Sequence, residues 1–217
     1  MTIYTVKVHD TGDKHWYLYG KLHRIDGPAV EHADGAKLWY LNDKCHRTDG
    51  PAIEGADGAK FWYVDGKCHR IDGPAVEDAD GSKHWFLDNK RHRIDGPAVE
   101  YANGNKFWYL NDKRHRTDGP AYLGADGSKH WYLYGKLHRI DGPACEYANG
   151  NKFWYVDGKR HRTDGPAVEW DDGGSKSWWL DGKQLTEAQW LEAVQPKPSC
   201  VGKIVEVDGV KYRLVAA

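Results

Sequence analysis

An all-β fold follows from three features of this chain. The block His-Arg-x-Asp-Gly-Pro-Ala occurs seven times at a fixed 23-residue interval, with its histidine at His23, His46, His69, His92, His115, His138 and His161. Each block follows a run of β-forming residues around a tryptophan, closed by a two-residue turn such as Asp65-Gly66. Aromatic residues reach 13%, with 11 Trp and 13 Tyr, while aliphatic residues are sparse. A fixed period in this range means stacked supersecondary units rather than one globular core. Broad rings suit a sheet too thin for a deep aliphatic interior. The expected architecture is an elongated single-layer antiparallel sheet, or solenoid, of 23-residue β-hairpin repeats, with a short C-terminal capping helix and hairpin.

Residues 1–13 form an N-terminal cap, in which residues 3–9 alternate as one strand. Eight hairpin repeats then fill 14–183, starting at Lys14, Lys37, Lys60, Lys83, Lys106, Lys129, Lys152 and Lys176. They are called units 1 to 8 below. Unit 3 shows the plan. Lys60-Phe61-Trp62-Tyr63-Val64 is extended, and Asp65-Gly66 makes a primed turn, which needs positive φ. Lys67-Cys68-His69-Arg70 returns. Ile71-Asp72-Gly73-Pro74 must bulge, because proline cannot donate to a ladder. Ala75-Val76-Glu77 resumes extension, and Ala79-Asp80-Gly81 turns into the next unit. Alternation puts Trp62 with Val64 on one face and Phe61 with Tyr63 on the other.

The ends break the pattern, as solenoid caps do. Thr186-Glu187-Ala188-Gln189 matches a capping box that opens a capping helix over 184–195, with Trp190 and Leu191 to cover the open sheet edge. Residues 196–217 comprise a Pro-rich linker and a β-hairpin about Asp208-Gly209.

Composition narrows the function. The net charge is −1, with 31 basic against 32 acidic residues, so duplex nucleic acid is not an expected partner. No apolar run could span a bilayer, and the start MTIYTVKVHD lacks a signal-peptide core, so a cytoplasmic chain is expected. Cys45 and Cys68 recur one period apart, roughly 9–10 Å in stacked hairpins. That exceeds the ~7 Å limit for a disulfide. No cofactor motif, nucleophile elbow or zinc spacing is present. Sevenfold repetition of His and Asp argues against a unique acid–base pair, and thus against an enzyme.

The stretch Trp62-Tyr63-x-Asp65-Gly66-Lys67-x-His69, continued by Asp80-Gly81-Ser82-Lys83, resembles the MORN repeat in turn, histidine and period, over residues 14–183. It departs from that family in having His-Arg-x-Asp-Gly-Pro where His-Gly-x-Gly is usual, which places the resemblance with variant members from bacteria and their viruses. The resemblance implies an elongated single-layer sheet acting as a scaffold, a dimerisation module or a binder of lipid headgroups. The tail from Gly202 to Tyr212 is similar to short C-terminal hairpins of assorted bacteriophage proteins, implying action in a host cytoplasm.

Several residue sets could carry binding. Seven arginines each precede an aspartate by two residues, as in Arg70 and Asp72. They read either as an anion-binding ladder or as an Arg–Asp ladder that holds the bend between neighbouring units; an aspartate beside every arginine favours the second. The histidines, about 10 Å apart, cannot share one metal ion, and their expected role is a hydrogen bond into the bend. The tryptophans are expected to fill the sheet's one apolar layer, leaving the tyrosine face more exposed.

Breaks in the repeat are the more informative signal. Units 4 and 5 carry Arg91 with Arg93 and Arg114 with Arg116, pairs two apart on one strand and so sharing a face. With Lys90, Lys113, Trp85, Trp108, Tyr109 and Tyr122 they form the densest basic–aromatic patch. The leading expectation is a non-enzymatic, phage-encoded binder of a host protein, an inhibitor or modulator, as in anti-defence. The alternatives are sequestration of a nucleotide or other anionic small ligand by the Arg–aromatic ladder, and a carbohydrate-binding or structural virion module. The hairpin tips and the tail are where a homodimer could form.

Overall fold

The computed structural model describes residues 3–195 and 203–213. Their regular structure is short antiparallel strands, joined by turns and bends, and one helix. The linker Pro196-Lys197-Pro198-Ser199 and Cys200 fall outside the described residues. One antiparallel sheet of eighteen strands runs from Thr5–Val8 at one end to Lys183–Leu185 at the other, and those two strands do not pair, so no barrel closes.

Each unit adds two rungs. In unit 3, Lys60–Phe61 pairs Val76–Glu77 within the unit and Ile53–Glu54 of the unit before. The register places Lys opposite Glu and Phe61 opposite Val76, so one row is charged and the next apolar. Beyond the tryptophan, Tyr63–Val64 and Lys67–Cys68 form the hairpin tip. Asp65 has φ 51° and Gly66 φ 79°, the left-handed pair that a primed two-residue turn requires. Tips are tied across units by backbone bonds. The N–H of Gly66 donates to the Cys45 carbonyl at 2.9 Å, and that of Arg47 to the Tyr63 carbonyl at 3.1 Å.

The tryptophan is the hinge of the unit. His69 N–H donates to the Trp62 carbonyl at 3.0 Å, and Trp62 N–H donates to the Ala75 carbonyl at 2.8 Å. Residues 70–74 are therefore looped out as a five-residue bulge opposite one tryptophan. Pro74 lies in the loop, where its missing N–H costs no ladder bond. The chain re-enters at Ala75, and all seven equivalent alanines are 0% exposed, so no larger side chain fits there.

The bulges rise on the side that carries Trp62 and Val64. The buried layer is on the other row, where Val99 and Tyr109 pack with Phe107, and Cys145, Phe153 and Val168 pack with Leu137 and Tyr155. This corrects the expectation for the rings: the tryptophans are half-buried beneath bulges, while the Phe/Tyr/Val row makes the buried layer. Cys45, Cys68 and Cys145 are free thiols in or beside that layer, and burial pushes them up to about 12, 11 and 12.

At the C-terminal end, Thr186 caps the helix Glu187–Val194 in a reciprocal box with Gln189. Trp190, 7% exposed, donates from Nε1 to the Arg162 carbonyl at 2.8 Å, whereas Leu191 remains exposed. No helix of the described residues is long and apolar enough to cross a membrane.

Candidate functional site

Two surfaces carry chemistry. The first is the bulge row. In every complete unit the arginine folds back so that its guanidinium lies 3.9–4.3 Å from the centroid of its own unit's tryptophan. Its Nε donates to the aspartate two residues on, at 2.8–3.2 Å. Its Nη1 donates to the proline carbonyl at 3.1–3.3 Å. In six units Nη1 also meets the strand glutamate; unit 5 has Leu123 there instead. The Nε hydrogen bond holds Asp49, Asp72, Asp95, Asp118, Asp141 and Asp164 below the usual carboxylate range.

The bulge glycine is needed for space, not for dihedral freedom. A Cβ on it would stand 2.8–3.0 Å from the arginine Cζ, and its φ is not in the positive region. The arginine's side-chain partners are all in its own unit. The expected Arg–Asp ladder between units is thus a set of closed circuits, one per unit. A phosphate entering here would compete with carboxylates already in place.

Within the repeated block it is the histidine side chain that reaches the next unit. Nδ1 of His46 accepts from the backbone N–H of Asp65, the tip residue of the next unit, at 3.1 Å. The same bond recurs from Asn42 to His23, Asp88 to His69, Tyr134 to His115, Asp157 to His138 and Asp181 to His161. The imidazole therefore caps the neighbour's turn and does not bond into its own bend. Among the described residues no three metal-ligating side chains gather. Between successive bulges lie clefts of about 500 to 680 Å³, floored by a tryptophan and its Leu or Val neighbour.

The second surface is the Phe/Tyr row of units 4 to 7. Arg91 lies 4.3 Å over Tyr109 and its Nε donates to Asp112 at 3.0 Å. Arg114 sits over Phe107 and Tyr132, and bonds the hydroxyls of Tyr109 and Tyr132 at 3.4 and 3.2 Å. Arg160 repeats this over Trp179, with Nε to the Tyr155 hydroxyl at 3.1 Å. Rings form a near-continuous chain: His84, Tyr101, Phe107, Tyr122, His130, Tyr147, Phe153 and Trp170, with consecutive centroids 4.8–5.7 Å apart. Tyr101, Tyr147 and Trp170 are 44, 41 and 43% exposed. Burial, and then Arg114, hold His130 below the ordinary histidine value, and its Nε2 is buried without a partner.

The basic–aromatic patch read from the sequence is thereby divided. Arg91, Arg114, Tyr109 and Tyr122 come together on the aromatic row. Arg93 and Arg116 do not join them, because the chain leaves the strand at the bulge and stacks them on Trp85 and Trp108. Lys90 and Lys113 are exposed on the return strands of the tips. Sequence reasoning missed Tyr101, His130, Tyr147, Arg160 and Trp170. A signal existed: Tyr101, Tyr147 and Trp170 occupy the slot held by Gly55, Asp78 and Gly124 elsewhere.

No protein-family model matches the chain, and no curated protein matches it.

Proposed function

We propose that this chain is a non-enzymatic repeat scaffold that binds a protein partner on the arginine–aromatic row of units 4 to 7. One observation carries the reading. In units 2 and 3 the slot before the histidine holds Cys45 and Cys68, sunk in or beside the buried layer. In units 4, 5 and 7 it holds arginines laid across tyrosines, beside the half-exposed Tyr101, Tyr147 and Trp170. Arg, Tyr and Trp are the residues that dominate binding energy at protein interfaces. Rings already locked against one another and under guanidinium groups lose little freedom on binding. The resemblance to MORN repeats agrees with a scaffold. In the bacteriophage setting that the tail implies, the partner is a host protein whose activity is inhibited or modulated.

The test uses the repeat's own alternatives. Arg91→Leu with Arg114→Leu installs the residue found at Leu22 and Leu137, so the fold should persist. A photo-crosslinking amino acid at position 147 should capture one stoichiometric host protein, and the double variant should lose at least tenfold of that capture. Equal capture by the double variant, or by a photo-crosslinker at the Ile94 bulge, would overturn the proposal.

A further inference from the structure

We propose that unit 5 holds a binding site for a carboxylate carried on a short apolar stem, built by Arg116, Lys106 and Lys129 around Leu123 on the bulge face. The chain supplies its own comparison. In the other six complete units Nη1 of the bulge arginine meets the strand glutamate at 2.7–3.4 Å. Arg116 meets only Asp118 and the Pro120 carbonyl, because Leu123 stands where that glutamate would be. Its side chain is nonetheless as covered as the rest, 23% exposed against 18–23% elsewhere. A guanidinium largely removed from water is short of a partner where one carboxylate is taken away.

The same residue breaks a second pattern. The row beside the bulges alternates lysine and glutamate along the sheet, each facing the opposite sign. Glu77 lies between Lys60 and Lys83, and Glu100 between Lys83 and Lys106. From Lys14 to Lys176 the alternation fails at one rung, where Leu123 lies between Lys106 and Lys129. Both lysines are exposed. Residues directly opposite across antiparallel strands have Cβ atoms ~4.5–5.5 Å apart, so both ammonium groups can close on a charge held over Leu123. Three cations thus border the one rung that lacks its negative charge.

The missing group defines the ligand. The deficit is a single charge, and in the other units a carboxylate on a methylene stem fills the place. Nε of Arg116 is committed to Asp118 at 2.8 Å, which leaves the Nη end of the fork for a planar carboxylate. A phosphoryl group carries about 1.5–2 negative charges at neutral pH, more than the rung lacks. The stem rests on Leu123, where a glutamate would have its methylenes. Beyond it there is room, because Arg116 and Pro120 also line the cleft of about 550 Å³ between the fifth and sixth bulges. Trp131 and Leu133 floor that cleft, and Thr117 at the bulge apex adds a hydroxyl. Tyr122, the preceding residue, packs on the opposite face with Phe107 and His130. The site is therefore separate from the arginine–aromatic row, and the two proposals stand or fall independently.

The experiment is an NMR titration of the whole chain with sodium butanoate, read at the Leu123 methyl groups and the Arg116 Nε–H. Both should shift and saturate together. Butanamide, the same stem without the charge, should bind at least tenfold more weakly. Leu123→Glu installs the residue of the other units, so the fold should persist while the affinity read at Arg116 drops at least tenfold. Glu77→Leu makes the same break in unit 3 and should create a second site, read at the Arg70 Nε–H. The capped peptide acetyl-Ala-Glu-Ala-amide offers the same group as a protein side chain. Tighter binding of the peptide than of butanoate assigns the site to an acidic side chain of a protein, and the reverse assigns it to a free acid. Equal affinity for butanamide, an unchanged affinity in Leu123→Glu, no second site in a folded Glu77→Leu, or tighter binding of inorganic phosphate than of butanoate would overturn the proposal.

Discussion

Arg93 shows how much of this structure is decided by single side chains. Its guanidinium stacks on Trp85, and its donors reach Asp95, the Pro97 carbonyl and Glu100, all within one unit. Lysine has the charge but neither the planar fork nor the stacking face. Arg93→Lys should therefore cost about 1–2 kcal/mol, from a cation–π contact and a partly exposed ion pair. Gly96→Ala should cost a similar amount, since the new Cβ would stand 2.8 Å from the arginine Cζ and push it off the ring. Chemical denaturation measures both, and the costs should not add, because each change breaks the same circuit. The Arg–Asp partnership was legible in the two-residue spacing. The glycine's role was not, because composition cannot distinguish a glycine that frees φ from one that makes room.

At the scale of the element, turns and strands were legible because their signals are local. Asp65-Gly66 declares its turn, and alternation correctly separated Trp62 from Phe61. The depth of each face was not legible. Alternation says which residues share a side, and says nothing of a guanidinium that covers the tryptophan while the tyrosine row takes the buried Val and Cys residues. The histidine failed for a related reason, since its partner lies 19 or 20 residues onward, in the next unit. His130 carries a pH consequence for its strand. Its folded value lies below the ordinary 6.5 through burial and then Arg114, and burial lowers His15 likewise. As pH falls through 6.5, the unfolded chain takes up protons that the folded one does not. Stability is therefore complete above that range and declines below it, until the folded groups also titrate. His130→Phe, which installs the residue found at Phe61, Phe107 and Phe153, should reduce that loss. Melting temperatures of the two proteins should diverge in acid and run parallel above the histidine range.

For the whole molecule, stability should be a sum over units and the junctions between them. Deleting residues 106–128 removes one unit and rejoins equivalent positions, so the product should fold. Its denaturant m-value should fall by about an eighth, as less surface is exposed on unfolding. Deleting a half-unit of similar position should abolish cooperative unfolding, because it puts a tip where a bulge must be. The elongated architecture was readable from the period alone. The division of labour between faces was not, because it depends on where each arginine folds, a choice made by the bulge.

The closed circuit within each bulge has a consequence for descent. Every ionic bond of the bulge arginine is answered inside its own 23 residues, whereas side-chain bonds that cross a boundary, such as Arg91 to Asp112, belong to particular pairs of units. A gene of this form can lose, gain or exchange repeats by misaligned recombination without orphaning a bulge arginine. Array length and the pattern of apices and arginines are then heritable variables, free to follow a changing partner while the architecture stays constant.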